Sequence, residues 1–312
     1  LADVVLPAAL WAEKTGTFTN VDRTVHLQQQ AVDPPGQARG DLDIWVDYAR
    51  RLGLHDRDGN ALPGWSTPRD AFAAWKACSA GHLCDYSALT YEALDARGGI
   101  QWPVTAAAPD GTERLYADGR FATDADFCET YGHDLATAKA LGRDEYVALG
   151  ADGRAILKGA PFEPAYETPD AEYPLRLTTG RTVYHWHTRT KTKRAPQLQD
   201  AAPAMWVELS AHDAGALGVR EGDIVEVASR RGRIEAPARI SYIRPGVVFA
   251  PWHYGGHALT AANELTLTAW DPISHQPEFK VAAVSVRRVR AGDGPAPAPT
   301  LTASRPVEPP TA

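Results

Sequence analysis

Residues 223–240 read Asp-Ile-Val-Glu-Val-Ala-Ser-Arg-Arg-Gly-Arg-Ile-Glu-Ala-Pro-Ala-Arg-Ile. Two runs rich in apolar and β-branched residues, Asp223 to Ser229 and Arg233 to Ile240, flank the pair Arg231-Gly232. Because glycine tolerates the backbone conformations of tight turns, this pattern predicts two antiparallel strands joined by a hairpin. This part of the chain is therefore expected to be β structure.

Short strands are predicted on both sides of the hairpin, at Leu175 to Thr179 and at Val247 to Pro251. One helix interrupts them at Ser210 to Leu217, with a serine N-cap and a glycine after its last residue. Short strands, few helices and glycine turns are typical of a closed β-barrel. We therefore expect residues 171–290 to form a barrel of about six strands with little other helix.

Residues 1–55 have the character of an α/β fragment. A short buried strand is predicted at Val4 to Leu6, followed by a polar loop at Gly16 to Asn20. Asp41 is expected to cap a helix over Leu42 to Leu52, whose apolar residues recur at helical spacing. A chain that opens directly on a strand lacks an earlier partner for it, which indicates a cut piece of a larger protein.

Residues 56–170 and 291–312 show weaker patterns. The first range has helix signals near Pro68 and Tyr91 but is otherwise punctuated by Gly, Asp and Pro, which predicts an irregular connecting region. The second range is rich in Ala, Pro and Thr and contains almost no large apolar residues. Such a composition cannot form a core, so we expect a disordered tail.

Composition argues against several classes of function. The chain of 312 residues has a net charge of −7, whereas nucleic-acid and anionic-membrane binders need a basic surface. It has no apolar run of about 18 residues, so no membrane span is predicted. Its three cysteines fit neither a closed disulfide framework nor a paired metal site. No targeting segment is visible, which favours a cytoplasmic location, although a part upstream of residue 1 could carry an export signal.

The most unusual stretch is the basic run from Gly180 to Arg194. The interval from Arg176 to Gln199 holds four Arg, two Lys and two His and no Asp or Glu, in a protein that is acidic as a whole. Guanidinium forks, ammonium groups and threonine hydroxyls are groups that hold pyrophosphate, and a glycine lets the backbone approach it closely. A solvated basic loop is the alternative, because charge runs usually lie on the surface.

Two histidine patterns raise the question of a metal site. His185 and His187 would face the same side of a strand, as in a cupin, but the neighbouring Arg189 and lysines would repel a metal ion. His253 and His257 have the spacing of a helical zinc pair, yet the two glycines between them make a loop near a ligand the better interpretation. No metal ligand is assigned. Residue patterns alone thus support a ligand-binding β domain with an anion site.

Several segments together resemble one family. Residues 2–7, 13–20 and 22–23 resemble the end of the central domains of molybdopterin-dependent oxidoreductases of the DMSO reductase superfamily. Residues 99–103 (Gly-Ile-Gln-Trp-Pro) resemble the connecting region of formate dehydrogenases and assimilatory-type nitrate reductases. The start of that family's C-terminal barrel is similar to Thr179-Gly180-Arg181 through Thr190, and later parts of the barrel are similar to residues 223–240, 246–249, 263–265, 271–272 and 277–280.

This resemblance implies a double-psi β-barrel that binds the dinucleotide of a bis(molybdopterin guanine dinucleotide) cofactor carrying molybdenum or tungsten. By position, Arg181, His185 and His187 match residues that touch the pterin or its phosphates. Asn263, Phe279 and Lys280 match a second contact set on the far side of the barrel. Together with neighbours in the basic run, the expected cofactor-binding residues are Gly180, Arg181, His185, His187, Thr188, Arg189, Asn263, Phe279 and Lys280.

The resemblance also implies a two-electron redox reaction on a small molecule, nitrate or formate. The expected partners are the rest of the catalytic chain and an electron-transfer protein, and an iron–sulfur cluster is expected only in the N-terminal part of the family's proteins. The catalytic metal ligand lies upstream in that family, so no catalytic residue is named here. Two alternatives from other classes stay open: a non-enzymatic anion- or nucleotide-binding module, and a cupin-like metalloenzyme.

Overall fold

The computed structural model describes residues 2–126, 128, 130–255 and 261–294. Its contacts divide the chain into two units. The first contains Leu1–Tyr131 and Gly142–Leu157, and the second contains Gly132–Leu141 and Lys158–Ala312. The division differs from the expected boundaries, because most of the expected connecting region packs with residues 1–55 and the rest belongs to the barrel unit. The expected tail lies mostly outside the described residues.

The described residues of the first unit contain a small antiparallel sheet in the order β1-β2-β3, four α-helices and a 3-10 helix, Trp11–Glu13. Its core consists of Val25, Phe72, Tyr86, Leu89, Tyr91, Leu94, Ile100 and Val104. The strands are β1 (Gly16–Thr19), β2 (Thr24–Gln28) and β3 (Ile100–Gln101), and the helices are α1 (Asp41–Leu52), α2 (Pro68–Ser79), α3 (Tyr91–Arg97) and α4 (Arg143–Val147).

The predicted helices near residues 42, 68 and 91 are confirmed, with Thr67 capping α2 and Gly40 rather than Asp41 preceding α1. The predicted loop at Gly16 is wrong: it is β1, which pairs with β2. The predicted buried strand at Val4 to Leu6 is also wrong. These three side chains are 72%, 80% and 59% exposed, and the pairing nearest to them is an isolated bridge between Ala8 and Arg39. An apolar run becomes a strand only where a partner strand and a covering face exist.

The second unit contains a closed barrel of six strands in the order β4-β8-β5-β7-β6-β9, which confirms the predicted architecture. Sequence analysis did not identify β5, β9 or the short helix α5. The strands are β4 (Leu175–Gly180), β5 (Val207–Ser210), β6 (Ile224–Ala228), β7 (Arg233–Ser241), β8 (Val247–Pro251) and β9 (Ala282–Arg290), and the helices are α5 (Pro196–Ala201) and α6 (Ala211–Leu217).

Burial alternates along these strands, as a small barrel filled by its own side chains requires. In β4, Leu175, Leu177 and Thr179 are buried while Arg176 is exposed. The predicted hairpin joins β6 to β7, and Ser210 caps α6 by accepting a hydrogen bond from the backbone of Asp213. The interior-facing positions of the described strands are thus filled by side chains, and the candidate site is sought on the rims and outer walls.

One rim of the barrel collects segments that are far apart in sequence. β4 pairs in parallel with β8, and β5 pairs in parallel with β7, while the remaining neighbours are antiparallel. The C-terminal ends of β4, β6 and β8 therefore lie at the same rim as the N-terminal ends of β5, β7 and β9. We call this the ligand rim. It carries the loop after Gly180, the residues after Pro251, the β6–β7 turn and the residues before Ala282.

The β6–β7 turn supports a 3-10 helix, Ala262–Leu265, at the same rim. A Cβ atom on Gly232 would lie 2.8 Å from the carbonyl oxygen of Glu264, so the glycine permits this close approach. Two nitrogens of the Arg231 guanidinium donate to the carbonyl of Leu265 at 3.2 and 3.1 Å, which fixes the C-terminal end of the 3-10 helix. The position of Asn263 therefore depends on the hairpin.

Substituting Gly232 by alanine should lower the free energy of unfolding by roughly 1–3 kcal/mol, because the new methyl group meets backbone atoms that cannot rotate away. Gly215 lies in α6 with no atom within 4 Å of its ideal Cβ position. Gly215→Ala should therefore leave stability unchanged or raise it by up to about 1 kcal/mol. Urea denaturation of both variants tests this, and equal stability of the two would contradict the proposed close packing.

Candidate anion-binding site

A buried histidine holds the first half of the basic loop. The side chain of His253 is 2% exposed. Its Nε2 accepts a hydrogen bond from the backbone N–H of Thr182 at 2.7 Å, so Nδ1 carries the proton and donates to the carbonyl of His187 at 2.5 Å. Burial lowers the pKa of His253 below its ordinary value, which favours the neutral ring that both bonds require.

A second buried histidine, His185, holds the other half. Its Nε2 faces the carbonyl of Ala202 at 2.8 Å and therefore donates, while Nδ1 lies 3.0 Å from the hydroxyl of Thr192 and accepts from it. Burial also lowers the pKa of His185. The structure thus corrects the expectation that His185 lines the cleft beside His187: the segment is a loop rather than a strand, and both nitrogens of His185 are used inside the fold.

The turn from Trp186 to Thr190 presents some side chains and withdraws others. His187 and Arg189 have positive backbone φ angles of 43° and 67°, which residues other than glycine rarely adopt. The guanidinium of Arg189 folds back, donating to the carbonyl of Pro203 at 2.8 Å and lying 4.5 Å from the ring centre of Tyr254. Burial raises the pKa of Tyr254 to about 12. The side chains of Trp186, His187, Thr188 and Thr190 are exposed, and the hydroxyls of Thr188 and Thr190 lie 2.9 Å apart.

The predicted cations meet around an aromatic residue that sequence analysis missed, Trp252. The guanidinium of Arg181 lies 5.2 Å and the ammonium of Lys280 lies 5.8 Å from its ring centre. The rings of His187 and Phe279 stack on it, with centroid distances of 6.0 and 5.8 Å. Four of the nine predicted residues therefore share one neighbour. The available signal was an aromatic residue directly after a buried strand and next to a histidine.

Contacts at the end of β4 bring these segments together. The hydroxyl of Thr179 donates to the carbonyl of Phe279 at 2.9 Å, and the backbone N–H of Trp252 donates to the carbonyl of Gly180 at 3.1 Å. A Cβ on Gly180 would lie 2.9 Å from the ring of Phe249, so a larger residue would displace that ring. Gly180 is thus needed for packing against the outer barrel wall, and its carbonyl positions Trp252.

The charges on the two sides of the ligand rim differ. In the part of the chain that the structure describes, no carboxylate forms an ion pair with Arg181 or Lys280; Arg181 instead contacts Nε2 of His187 at 3.2 Å. On the β6–β7 side, Glu167 accepts hydrogen bonds from Arg230 and Arg231. Asp170 also accepts from Arg230, so two carboxylates balance the two guanidinium groups of the turn. Among the described residues, no acid balances the cations near Trp252 in this way.

A cavity of about 410 Å³ adjoins Arg181 on the outer wall of the barrel. The hydroxyl of Thr182 and Nε1 of Trp252 are both buried and without a hydrogen-bond partner, which is a costly state for polar atoms. The residues that line the cavity come from the loop and from β5, β7 and β8: Arg181, Thr182, Val183, Tyr184, Trp206, Glu208, Arg239, Ile243 and Phe249.

Asn263 is exposed on the 3-10 helix at the same rim. Among the described residues, Lys280 shares the neighbour Trp252 with Arg181, whereas Asn263 has no hydrogen bond, ion pair or ring contact with Arg181 or Lys280. Cofactor binding by these residues stays a prediction. His257, the second member of the His253 pair, lies outside the described residues.

The described residues contain no group of three or more His, Cys, Asp or Glu side chains placed to hold a metal ion. They also contain no helix that is long and apolar enough to cross a membrane. Cys78, Cys84 and Cys128 are free thiols.

Comparisons with known proteins agree with the resemblance found in the sequence. Residues 175–283 match the family model of the molydopterin dinucleotide binding domain, and residues 1–51 match that of molybdopterin oxidoreductase. The first match begins with β4 at Leu175 and ends two residues into β9, which continues to Arg290.

Curated relatives match nearly the whole chain. A periplasmic nitrate reductase of Desulfovibrio desulfuricans is 37% identical over 92% of this chain and 36% of its own length. A nitrate reductase of Symbiobacterium thermophilum is 35% identical over 92% of this chain and 36% of its own length. The alpha subunit of an F420-dependent formate dehydrogenase of Methanocaldococcus jannaschii is 37% identical over 93% of this chain and 37% of its own length. The chain thus spans a little over a third of the length of these relatives.

Among solved structures, acetylene hydratase from Pelobacter acetylenicus is similar, with a TM-score of 0.53 and 16% identity. The likeness covers 91% of this chain and 38% of that one, and at this identity it shows the fold alone. The six strands between Leu175 and Arg290 form a double-psi β-barrel, most of which matches the dinucleotide-binding domain, and the chain belongs to the molybdopterin-dependent oxidoreductase family.

Proposed function

We propose that this chain is the C-terminal part of a longer molybdenum or tungsten oxidoreductase, in which the ligand rim binds the diphosphate of a bis(molybdopterin guanine dinucleotide) cofactor. The bound cofactor would supply a two-electron reaction on nitrate or formate, while the protein supplies binding, orientation and electrostatics. The observation that carries the proposal is the placement of Arg181, His187 and Lys280 around Trp252 without a carboxylate partner.

The donor set fits a diphosphate. A diphosphate carries concentrated negative charge, and protein donors must replace the water that it loses on binding. Arg181, His187 and Lys280 would contact it directly, and the exposed side chains of Thr188 and Asn263 are further donors at the same rim. The unsatisfied hydroxyl of Thr182 is a spare donor beside Arg181.

The remaining predicted residues would act through these. His185 and Arg189 hold the turn that presents His187, because their bonds to the carbonyls of Ala202 and Pro203 are internal. Phe279 stacks on Trp252 next to Lys280. Gly180 keeps the end of β4 packed against the barrel wall. This division assigns direct contact to fewer residues than the sequence pattern suggested.

An exposed apolar surface supports a longer protein. Of the apolar stripe on α1, only Val46 is buried, while Trp45 and Leu52 are exposed. Adjacent exposed apolar side chains usually mark a contact with other protein. Further catalytic protein and an electron-transfer partner are therefore part of this proposal, and the cytoplasmic location stays a prediction, since one relative is named periplasmic.

Nitrate and formate are both kept as substrates, because both appear in the names of similar relatives. Assay of the metal-loaded longer enzyme with each substrate would separate them. A protein that retains the cofactor but turns over neither substrate would favour the alternative of a non-enzymatic anion- or nucleotide-binding module.

Arg181→Ala should lower the molybdopterin content of the longer enzyme by roughly tenfold or more, because a charge-assisted hydrogen bond contributes on the order of 1.5–3 kcal/mol. Arg194→Ala is the matched control, since Arg194 lies in the same basic run but is exposed and makes no described side-chain contact. Wild-type content in both variants would mean that the run is a solvated loop.

The 312-residue chain by itself should turn over neither nitrate nor formate, even when cofactor is supplied. We expect it to provide only a dinucleotide-binding face, because in the family's proteins the metal ligand and the first pterin-binding domain lie in the preceding part of the chain. Turnover above the level of a heat-denatured sample would contradict the proposed division of labour.

Acid should destabilise the barrel unit. Burial lowers the pKa of His185 and His253, so the unfolded chain takes up protons at a higher pH than the folded one does. Their contribution to stability is complete above about pH 6.5 and is lost as the pH falls. Urea denaturation between pH 7.5 and 5 should show this loss, and His253→Gln should reduce it. The exposed His275→Gln is the control; an unchanged pH dependence in His253→Gln would refute the assignment.

A further inference from the structure

Trp252 contacts four of the predicted binding residues, while Arg181 also lies 5.7 Å from the ring centre of Trp186. Trp252 touches Arg181 and His187 from the loop after β4, and Phe279 and Lys280 from the segment before β9. These two segments are separated by about 90 residues in sequence. Among the described residues, both meet at this one indole.

The indole can hold two like charges near each other. The face of a tryptophan ring attracts a guanidinium or ammonium group, and this attraction offsets part of the repulsion between Arg181 and Lys280. Both side chains are long and flexible, so they would otherwise lose conformational freedom when a ligand binds. A ring that already restricts them reduces this cost of binding.

The ring itself is fixed. The backbone N–H of Trp252 donates to the carbonyl of Gly180, and its ring is stacked with those of His187 and Phe279 at centroid distances of 6.0 and 5.8 Å. Phe279 is held in turn by the hydroxyl of Thr179. A cation placed on this ring is therefore placed relative to the end of β4, and hence relative to the whole ligand rim.

We propose that Trp252 is a positioning residue of the anion site: its ring holds the guanidinium of Arg181 and the ammonium of Lys280 so that both charges meet one diphosphate. This inference rests on the proposed function, because it presupposes that the rim binds a diphosphate. It assigns the effect to the ring face and not to the indole N–H.

The test uses the full 312-residue chain and inorganic pyrophosphate, with binding measured by titration calorimetry. Trp252→Leu should weaken binding tenfold or more, since leucine has no π face, and Trp252→Phe should weaken it no more than about threefold. Trp252→Leu should also flatten the dependence of the logarithm of the affinity on salt concentration, because fewer positioned charges meet the ligand.

Trp270→Leu is the matched control. Trp270 lies in the same unit, is 54% exposed and has no described cation within reach of its ring. It should bind pyrophosphate as the wild type does. Thermal denaturation of every variant shows whether the chain is folded at the temperature of the titration. If Trp252→Leu does not fold, Trp252→Phe still tests the proposal, because a loss of more than about threefold in that variant would contradict the role of the ring face.

A double-mutant comparison separates positioning from general support. If Trp252 acts through Arg181, the Arg181→Ala, Trp252→Leu double variant should bind no more than about threefold more weakly than the weaker single variant. Losses that multiply in full would overturn the proposal, because independent effects multiply.

The remaining outcomes are distinct. Wild-type affinity in Trp252→Leu, with weakened binding in Arg181→Ala, would overturn the role of Trp252 and leave the proposed function standing. Equal losses in Trp252→Phe and Trp252→Leu would assign the effect to the N–H and overturn the ring-face role. Pyrophosphate binding that is absent in the wild type, or unaffected by Arg181→Ala, would overturn both the anion site and this inference.

Discussion

The ligand rim depends above all on the parallel pairing of β4 with β8. In this register Gly180 lies opposite Pro251, so Arg181 and Trp252 are the first residues beyond two adjacent strand ends. Parallel strands cannot be joined by a tight turn, and the long connection between them carries β5, β6 and β7. Barrel closure through β9 then brings Lys280 to the same place. The site therefore exists only in the closed fold.

The hairpin and the basic run could be predicted because their signals are local. Glycine at position 232 and alternating apolar residues on both sides specify β6 and β7 without reference to the rest of the chain. β9 escaped notice because its second half is rich in arginine. Arg287 pairs with Glu226 on β6, and Arg288 pairs with Asp223, the residue before β6; the hydrogen bond from Arg288 helps lower the pKa of Asp223 to about 2. Charges that look unsuitable for a strand are neutralised by its neighbour.

The roles of the histidines could not be read from the sequence. His185 and His187 are equally polar and two residues apart, yet one is buried and the other exposed. What distinguishes them is the carbonyl of Ala202, the residue that follows α5, which accepts a hydrogen bond from His185. Trp252 was missed for a related reason: its partners come from both sides of it in the chain, and no spacing rule connects them. Residue type identified the charges, but tertiary contacts determine which of them face a ligand.

The pairing of Glu167 with Arg230 and Arg231 has a consequence for how a ligand is oriented. The same carboxylate also accepts the backbone N–H of Ala283, and burial does not prevent its pKa from being lowered by these donors. Asp170 also accepts from Arg230, so two carboxylates balance the two guanidinium groups of this arc, whereas among the described residues no carboxylate pairs with the cations around Trp252. Under the proposed function, an elongated dinucleotide with charge near its middle and a neutral base at its end would meet a directional field on this surface. The rim would then favour one orientation of the nucleotide over the reverse.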